Sequence, residues 1–236
     1  MSTPERSVWH GTGVSVADVS GQMRRLVAEH LRHEHGHATT WSLNLIITPG
    51  PYARVHRGLE SLQQHRFPAR VVALHEHAVH RVDATVTVHC EAGADRRPGF
   101  CHEEVALSTD RGHLARAANL VRPLLVGGLP TVVWEAGGDL RVAHTLAPIA
   151  DRILLDSADF TDAEAALGRA AQLLQVAEVE DAAWRRLDRW RRRLALAADP
   201  EDARATALAA NRLEVRHGER ADALGLLMAG WVAARL

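Results

Sequence analysis

The chain has no lysine. All 28 of its basic residues are arginine, so Schiff-base chemistry and the phosphate-cradling lysine of a P-loop are excluded. Cysteine is nearly absent, with only Cys90 and Cys101. That excludes a disulfide scaffold, and a reducing compartment keeps such thiols free. No apolar run reaches the roughly 18 residues that a membrane helix needs. Aromatics make up 4% of the residues and the net charge is -1, so neither base stacking nor a broad basic field points to nucleic acid. The opening MSTPERSVWHG lacks the basic-then-apolar build of a secretion signal. The expectation is a cytoplasmic protein with no membrane and no nucleic-acid partner.

What is present is apolar and periodic. With 236 residues, 47% of them apolar, the chain can bury a substantial core. The stretch 129–157, LPTVVWEAGGDLRVAHTLAPIADRILLDS, places apolar runs at 131–134 and 153–155 around a Gly137-Gly138 break and a short amphipathic piece. That is strand, crossover, strand, as in a sheet buried on both faces. Upstream, strands are expected at 41–48 and 70–75 with a helix between them, which forms a parallel unit. Strands at 82–88 and 104–108 are joined by the polar segment 91–99 as a long-looped hairpin. Helices are expected at 16–32, 113–126, 163–176, 181–197 and 221–236, and a short strand at 213–216. Pro123 should end or kink the helix that contains it. The fold expected is α/β: a mixed, mainly parallel sheet flanked by helices, with a C-terminal helical portion. Residues 1–20 read as a flexible segment, 21–160 as the α/β domain, and 161–236 as helices packed on the same core.

Fifteen histidines (15 by count) cluster along the chain, with His33, His35 and His37 together and His75, His77 and His80 together. His89 and Cys90 face Cys101 and His102 across the 91–99 loop. Nitrogen and sulfur donors suit zinc, but no CxxC or HExxH spacing is present, so surface histidine is the plainer reading. Glu103 and Glu104 are neighbours on a strand and point to opposite faces, which bars an acid/base pair and leaves an edge or capping role. Asp156-Ser157 ends a buried strand, where α/β proteins bind ligands; Ser157 or Asp159 equally suits the cap of a helix starting near residue 161. Neither a GxGxxG dinucleotide fingerprint nor a GxSxG elbow occurs. Arg185, Arg186, Arg189, Arg191, Arg192 and Arg193 line a helix face opposite Trp184, Leu187 and Leu194. They read either as a solvated face or as a patch for an acidic surface or a phosphorylated ligand.

Seven fragments in order carry a resemblance: TTWSLNLIIT at 39–48, HRFPARVVAL at 65–74, CHEEVAL at 101–107, VRPLLVGGLPTVVWEAG at 121–137, ADRILLDS at 150–157, WRRLDRWRRRLA at 184–195 and LLMAGWVAARL at 226–236. Together they are similar to the glucose-6-phosphate dehydrogenase assembly protein OpcA family. The chain departs from that family at Glu135, where a second tryptophan is usual, and at His102 in the cysteine motif. The resemblance implies a protein that is not an enzyme and carries no cofactor. It implies binding to glucose-6-phosphate dehydrogenase, promotion of its active oligomer, and a place in the oxidative pentose phosphate pathway. Tryptophan and arginine anchor interfaces, so Arg70, Trp134, Trp184, Arg185, Trp190 and Arg191 are the candidate contact residues. Trp134 and Trp184 also suit core packing, whereas Arg185 and Arg191 are expected on the surface. Two rivals stay open. One is a sugar-phosphate enzyme or sensor with Arg70, Asp156 and Ser157 at the carboxyl edge of the sheet. The other is a zinc module built on His89, Cys90, Cys101 and His102.

Overall fold

The computed structural model describes residues 5–33, 37–38, 41–65, 67–91, 99–219 and 221–235. The apolar runs become parallel strands. β1 (Glu5–Gly11) leads into α1 (Val16–His33) and the two-residue β2 (His37–Ala38). β3 (Leu43–Ile47) passes through α2 (Tyr52–Gln64) into β4 (Ala69–Glu76), which lies parallel to it with Leu45 opposite Val71. β5 (Asp83–Glu91) and β6 (Gly99–Thr109) pair antiparallel, and β6 then runs parallel to β4. The chain next returns to the other side of β3 with β7 (Thr131–Trp134), β8 (Arg152–Leu155) and β9 (Glu178–Asp181), all parallel. The sheet order is β1-β5-β6-β4-β3-β7-β8-β9, with β1 antiparallel to β5 and β2 beside β6. The fold is α/β, with a mixed, mainly parallel sheet.

Strand alternation divides the core into two layers. Ile46, Val72, Leu74, Val105, Val133 and Ile153 are buried on one face. There they meet α1, α3 (Arg111–Leu114), α4 (Ala117–Val121), α5 (Arg141–Leu146) and α6 (Ala163–Leu173). Each such side chain, fully buried, contributes about 1.5–3 kcal/mol. The intervening residues Leu45, Ile47, Val71 and Ala73 point the other way and meet Val55, Leu59 and Leu62 of α2. The C-terminal helices are α7 (Ala182–Arg186), α8 (Asp188–Ala197), α9 (Glu201–Leu208) and α10 (Asp222–Ala233); α10 packs on α6 and α7.

Several expectations are corrected. Residues 5–11, placed in a flexible segment, form β1 along the whole of β5 from Glu5 opposite Cys90 to Gly11 opposite Ala84. The helix expected at 113–126 is broken into α3, α4 and a 3₁₀ turn, Arg122–Leu124, that contains Pro123. Asp110 starts it early by accepting from the Gly112 and His113 amides. The helix expected at 181–197 breaks at Leu187, whose carbonyl accepts from both Trp190 and Arg191 in a tightened turn. The strand expected at 213–216 does not form; that stretch is mostly exposed and has no ladder partner. Asp162, rather than Ser157 or Asp159, caps α6 by accepting from the Ala165 amide at 2.9 Å.

Candidate functional site

Arg70 is the second residue of β4, at the amino end of the parallel strands, whereas Asp156 and Ser157 follow the carboxyl end of β8. The rival site that joined the three is therefore split across the sheet. Arg70 instead holds Glu103, its register partner on β6, through a 2.6 Å ion pair. It also donates to the Leu124 carbonyl at 3.2 Å and stacks 4.7 Å from the Trp41 ring. Glu103 is wholly buried, not at an edge or cap. Burial raises its carboxyl pKa, and the Arg70 charge opposes that shift.

The four metal candidates are register neighbours across one antiparallel pair. In the β5–β6 ladder His89 pairs with His102 and Cys90 with Cys101. The cysteine side chains lie outside the described residues. His102 is buried, its ring nitrogens lack hydrogen-bond partners among the described residues, and burial followed by the nearby His89 charge lowers its pKa. Among the described residues, one other set brings metal-ligating atoms within 4.8 Å of one another: His80, Asp110 and His113.

The open surface lies on the α2 side of the sheet. α2 covers β3 and β4, but the crossovers from β7 to β8 and from β8 to β9 pack on the opposite face. A groove of about 970 Å³ remains beside α2. Its floor is Leu45, Val132, Trp134 and Leu154; its walls are α2 and the start of α7. Trp134 lies against α2 where Gly58 leaves room: a Cβ there would stand 2.5 Å from the indole ring. The rim charges are paired within the chain, Arg54 with Asp159 at 2.7 Å, Arg186 with Asp156 at 2.6 Å and Arg185 with Glu180 at 2.9 Å.

The remaining candidates sit on α7 and α8. Trp184 is half-buried, and Arg191 lies over its ring at 3.4 Å with only 16% of its side chain exposed. The expectation of an exposed Arg191 is corrected: stacking on Trp184, with a hydrogen bond to Asp188, covers most of it. Arg185 is exposed as expected. Trp190 is 47% exposed and Leu194 45%, and among the described residues α8 contributes none to the core.

A second concavity opens at the carboxyl edge. The chain reverses its progress across the sheet between β3 and β7, the switch point at which such folds open a crevice. A cavity of about 500 Å³ lies here, between the loop after β3, the loop after β7, and His75, Glu76 and Arg111. Glycine permits the two loops to touch. A Cβ on Gly137 would stand 2.1 Å from the Pro49 carbonyl oxygen, and one on Gly50 would stand 2.6 Å from the Ala136 backbone. Glu135 is buried beneath, and its Oε1 accepts from the Gly137 and Asp139 amides at 3.0 and 3.3 Å. Burial raises its carboxyl to about 7 against those hydrogen bonds. Burial also lowers the pKa of His75. Arg111 answers Glu76 at 3.2 Å, and Arg141 answers Asp139. Sequence reasoning passed over Glu135 except as a departure from a tryptophan; an acid directly closing the apolar run TVVW was the available signal.

The fold and these surfaces define a class: a doubly wound α/β protein with one under-covered sheet face and an exposed tryptophan- and arginine-bearing helix beside it. Residues 62–172 match the model described as the glucose-6-phosphate dehydrogenase subunit N-terminal domain, and residues 177–236 match the corresponding C-terminal domain. The chain belongs to the OpcA glucose-6-phosphate dehydrogenase assembly family. It is 30% identical over 178 residues to a putative OxPP cycle protein OpcA of Nostoc punctiforme, covering 72% of this chain and 38% of that protein. It is 29% identical over 141 residues to the protein of the same description from a Synechocystis species, covering 58% of this chain and 30% of that protein. The chain thus aligns with well under half the length of these curated relatives. No solved structure matches it.

Proposed function

We propose that this chain is a non-catalytic assembly factor that binds glucose-6-phosphate dehydrogenase, promotes its active oligomer and so raises its activity. Family membership supports the dehydrogenase as the partner. The observation that carries the reading is α8, which follows the α7 wall of the apolar groove and leaves Trp190, flanked by Arg189 and Arg193, and Leu194 about half exposed. An amphipathic helix beside a groove with paired charges on its rim has the build of an interface centre, where a few aromatic anchors supply most of the affinity. Activation is then a coupling free energy between that surface and a distant active site.

The test mixes the chain with the dehydrogenase from the same cell. Initial rates are measured against substrate, and mass is followed by light scattering. The reading expects a heavier complex together with a raised kcat or a lowered KM; separate species with unchanged kinetics overturn it. The second reading, a sugar-phosphate sensor, is favoured by the switch-point crevice over buried Glu135. It expects saturable sugar-phosphate binding to the isolated chain, lost in Arg141→Ala.

A further inference from the structure

We propose that His80, Asp110 and His113 form a binding site for a zinc-class divalent cation at the carboxyl edge of the sheet, independent of dehydrogenase binding. His80 is distant in sequence from Asp110 and His113, which sit three residues apart (i,i+3). β4 and β6 run parallel with Glu76 opposite Thr109, so the turn after one strand and the helix after the other emerge side by side. The turn is tied down: the His77 amide donates to the Thr109 carbonyl at 2.7 Å, and the buried Thr109 hydroxyl donates to the Arg81 carbonyl at 2.9 Å. His80 rides on that turn and His113 on α3.

Asp110 divides its work between its two oxygens. Oδ1 caps α3 by accepting from the Gly112 and His113 amides at 2.6 and 3.1 Å. Oδ2 faces two imidazoles, 2.8 Å from His80 Nδ1 and 2.7 Å from His113 Nδ1, with the rings 4.8 Å apart.

Two neutral imidazoles and one carboxylate are the donor set of zinc sites that keep a fourth position open. Calcium and magnesium prefer all-oxygen shells, which this cluster does not offer. Bonds of about 2.0–2.2 Å in tetrahedral geometry put donors about 3.3 Å apart. The present separations need to widen by roughly half an ångström to reach that spacing. His80 can supply the movement, because 85% of its side chain is exposed and no core packing resists its rotation. The neighbouring cations do not crowd the ion: Arg81 is paired with Asp83 at 2.9 Å and Arg111 with Glu76 at 3.2 Å. Bound there, the ion cross-links the turn to α3, with its open position toward solvent.

The test uses the full chain, stripped with a chelator and titrated with zinc chloride alone by calorimetry. Cobalt serves as a spectroscopic probe. The site expects one ion per chain in the micromolar range or tighter, a raised thermal midpoint, and visible cobalt bands of tetrahedral or five-coordinate strength. Losing even an outer-shell partner weakens metal sites by about 10–100-fold, so His80→Ala and His113→Ala should each weaken zinc binding at least tenfold. His56→Ala, an exposed histidine on α2 away from the turn, should leave it unchanged. His80→Ala sits in an exposed turn and keeps the fold intact, which circular dichroism checks. Binding weaker than 100 μM, or stoichiometric zinc retained unchanged in both variants, overturns the site. Neither outcome bears on dehydrogenase binding, which is read separately.

Discussion

Arg70 and Glu103 show how much one buried charge depends on another. Glu103 has no exposure, and its main neutralising partner is the guanidinium 2.6 Å away. Arg70→Met strands the carboxylate in the core and is expected to lower stability by about 3–5 kcal/mol. The double change Arg70→Met with Glu103→Met should recover most of that loss, because an apolar pair of similar volume removes the unpaired charge. Urea midpoints of the parent, single and double variants decide the matter. Glu135 behaves differently: among the described residues no cation pairs with it. Its ordinary carboxylate value is 4.5 and its folded value about 7. Between those values the native chain holds a proton that the unfolded chain has released. Stability therefore falls as pH rises from about 4.5 to about 7, by at most about 3 kcal/mol, and levels off beyond. In Glu135→Gln that slope should vanish, so the variant gains on the parent as pH goes from 5 to 8 in denaturation curves. Neither role was legible in sequence. Glu103 reaches Arg70 only because β6 pairs directly with β4 although β5 lies between them in the chain, and spacing along the chain does not encode that pairing.

At the level of elements, the parallel strands read well and the marginal ones did not. β3, β4, β7 and β8 announce themselves as apolar runs bounded by Pro and Gly. β9 is Glu-Val-Glu-Asp, with one apolar residue, and exists because Val179 pairs beside Ile153. β1 carries too little alternation to be noticed alone and is ordered by pairing with β5. Helix extents were overestimated where a turn intervened, at Ala115-Arg116 and at Leu187, since periodicity survives such breaks. The loop contact at the switch point is the most demanding local feature. Gly137→Ala drives a methyl into the Pro49 carbonyl, where backbone must move. We expect a loss above about 2 kcal/mol in thermal or chemical denaturation, against a gain of about 0.5–1 kcal/mol for Gly168→Ala inside α6, whose added methyl meets nothing.

Across the whole molecule, coverage is uneven. Most helices gather on one face of the sheet, α2 sits on the other, and α8 and α9 contribute no core residue among those described. If that uncovered surface holds the dehydrogenase, Trp190→Ala with Leu194→Ala should leave the chain's own melting within about 1 kcal/mol. The same pair should weaken the complex by about 2 kcal/mol or more, roughly thirtyfold in Kd by titration. An unchanged Kd would move the interface away from α8. The candidate surface was half-legible in sequence: the tryptophans and arginines were visible, but Arg191 folds over Trp184, and the arginines of the groove rim are spent on nearby carboxylates.

The last strand of the sheet bears on how such a molecule meets others. β9 ends the sheet beyond β8, and its Glu178 and Glu180 are gripped by Arg152 at 2.8 and 3.2 Å, with Arg185 on Glu180 as well. A terminal strand of four residues fringed by acids is a poor template for a foreign strand, because lengthening the ladder there would strip or crowd those carboxylates. At this boundary the protein is guarded against runaway edge-to-edge stacking, and strand donation is disfavoured as a mode of recognition.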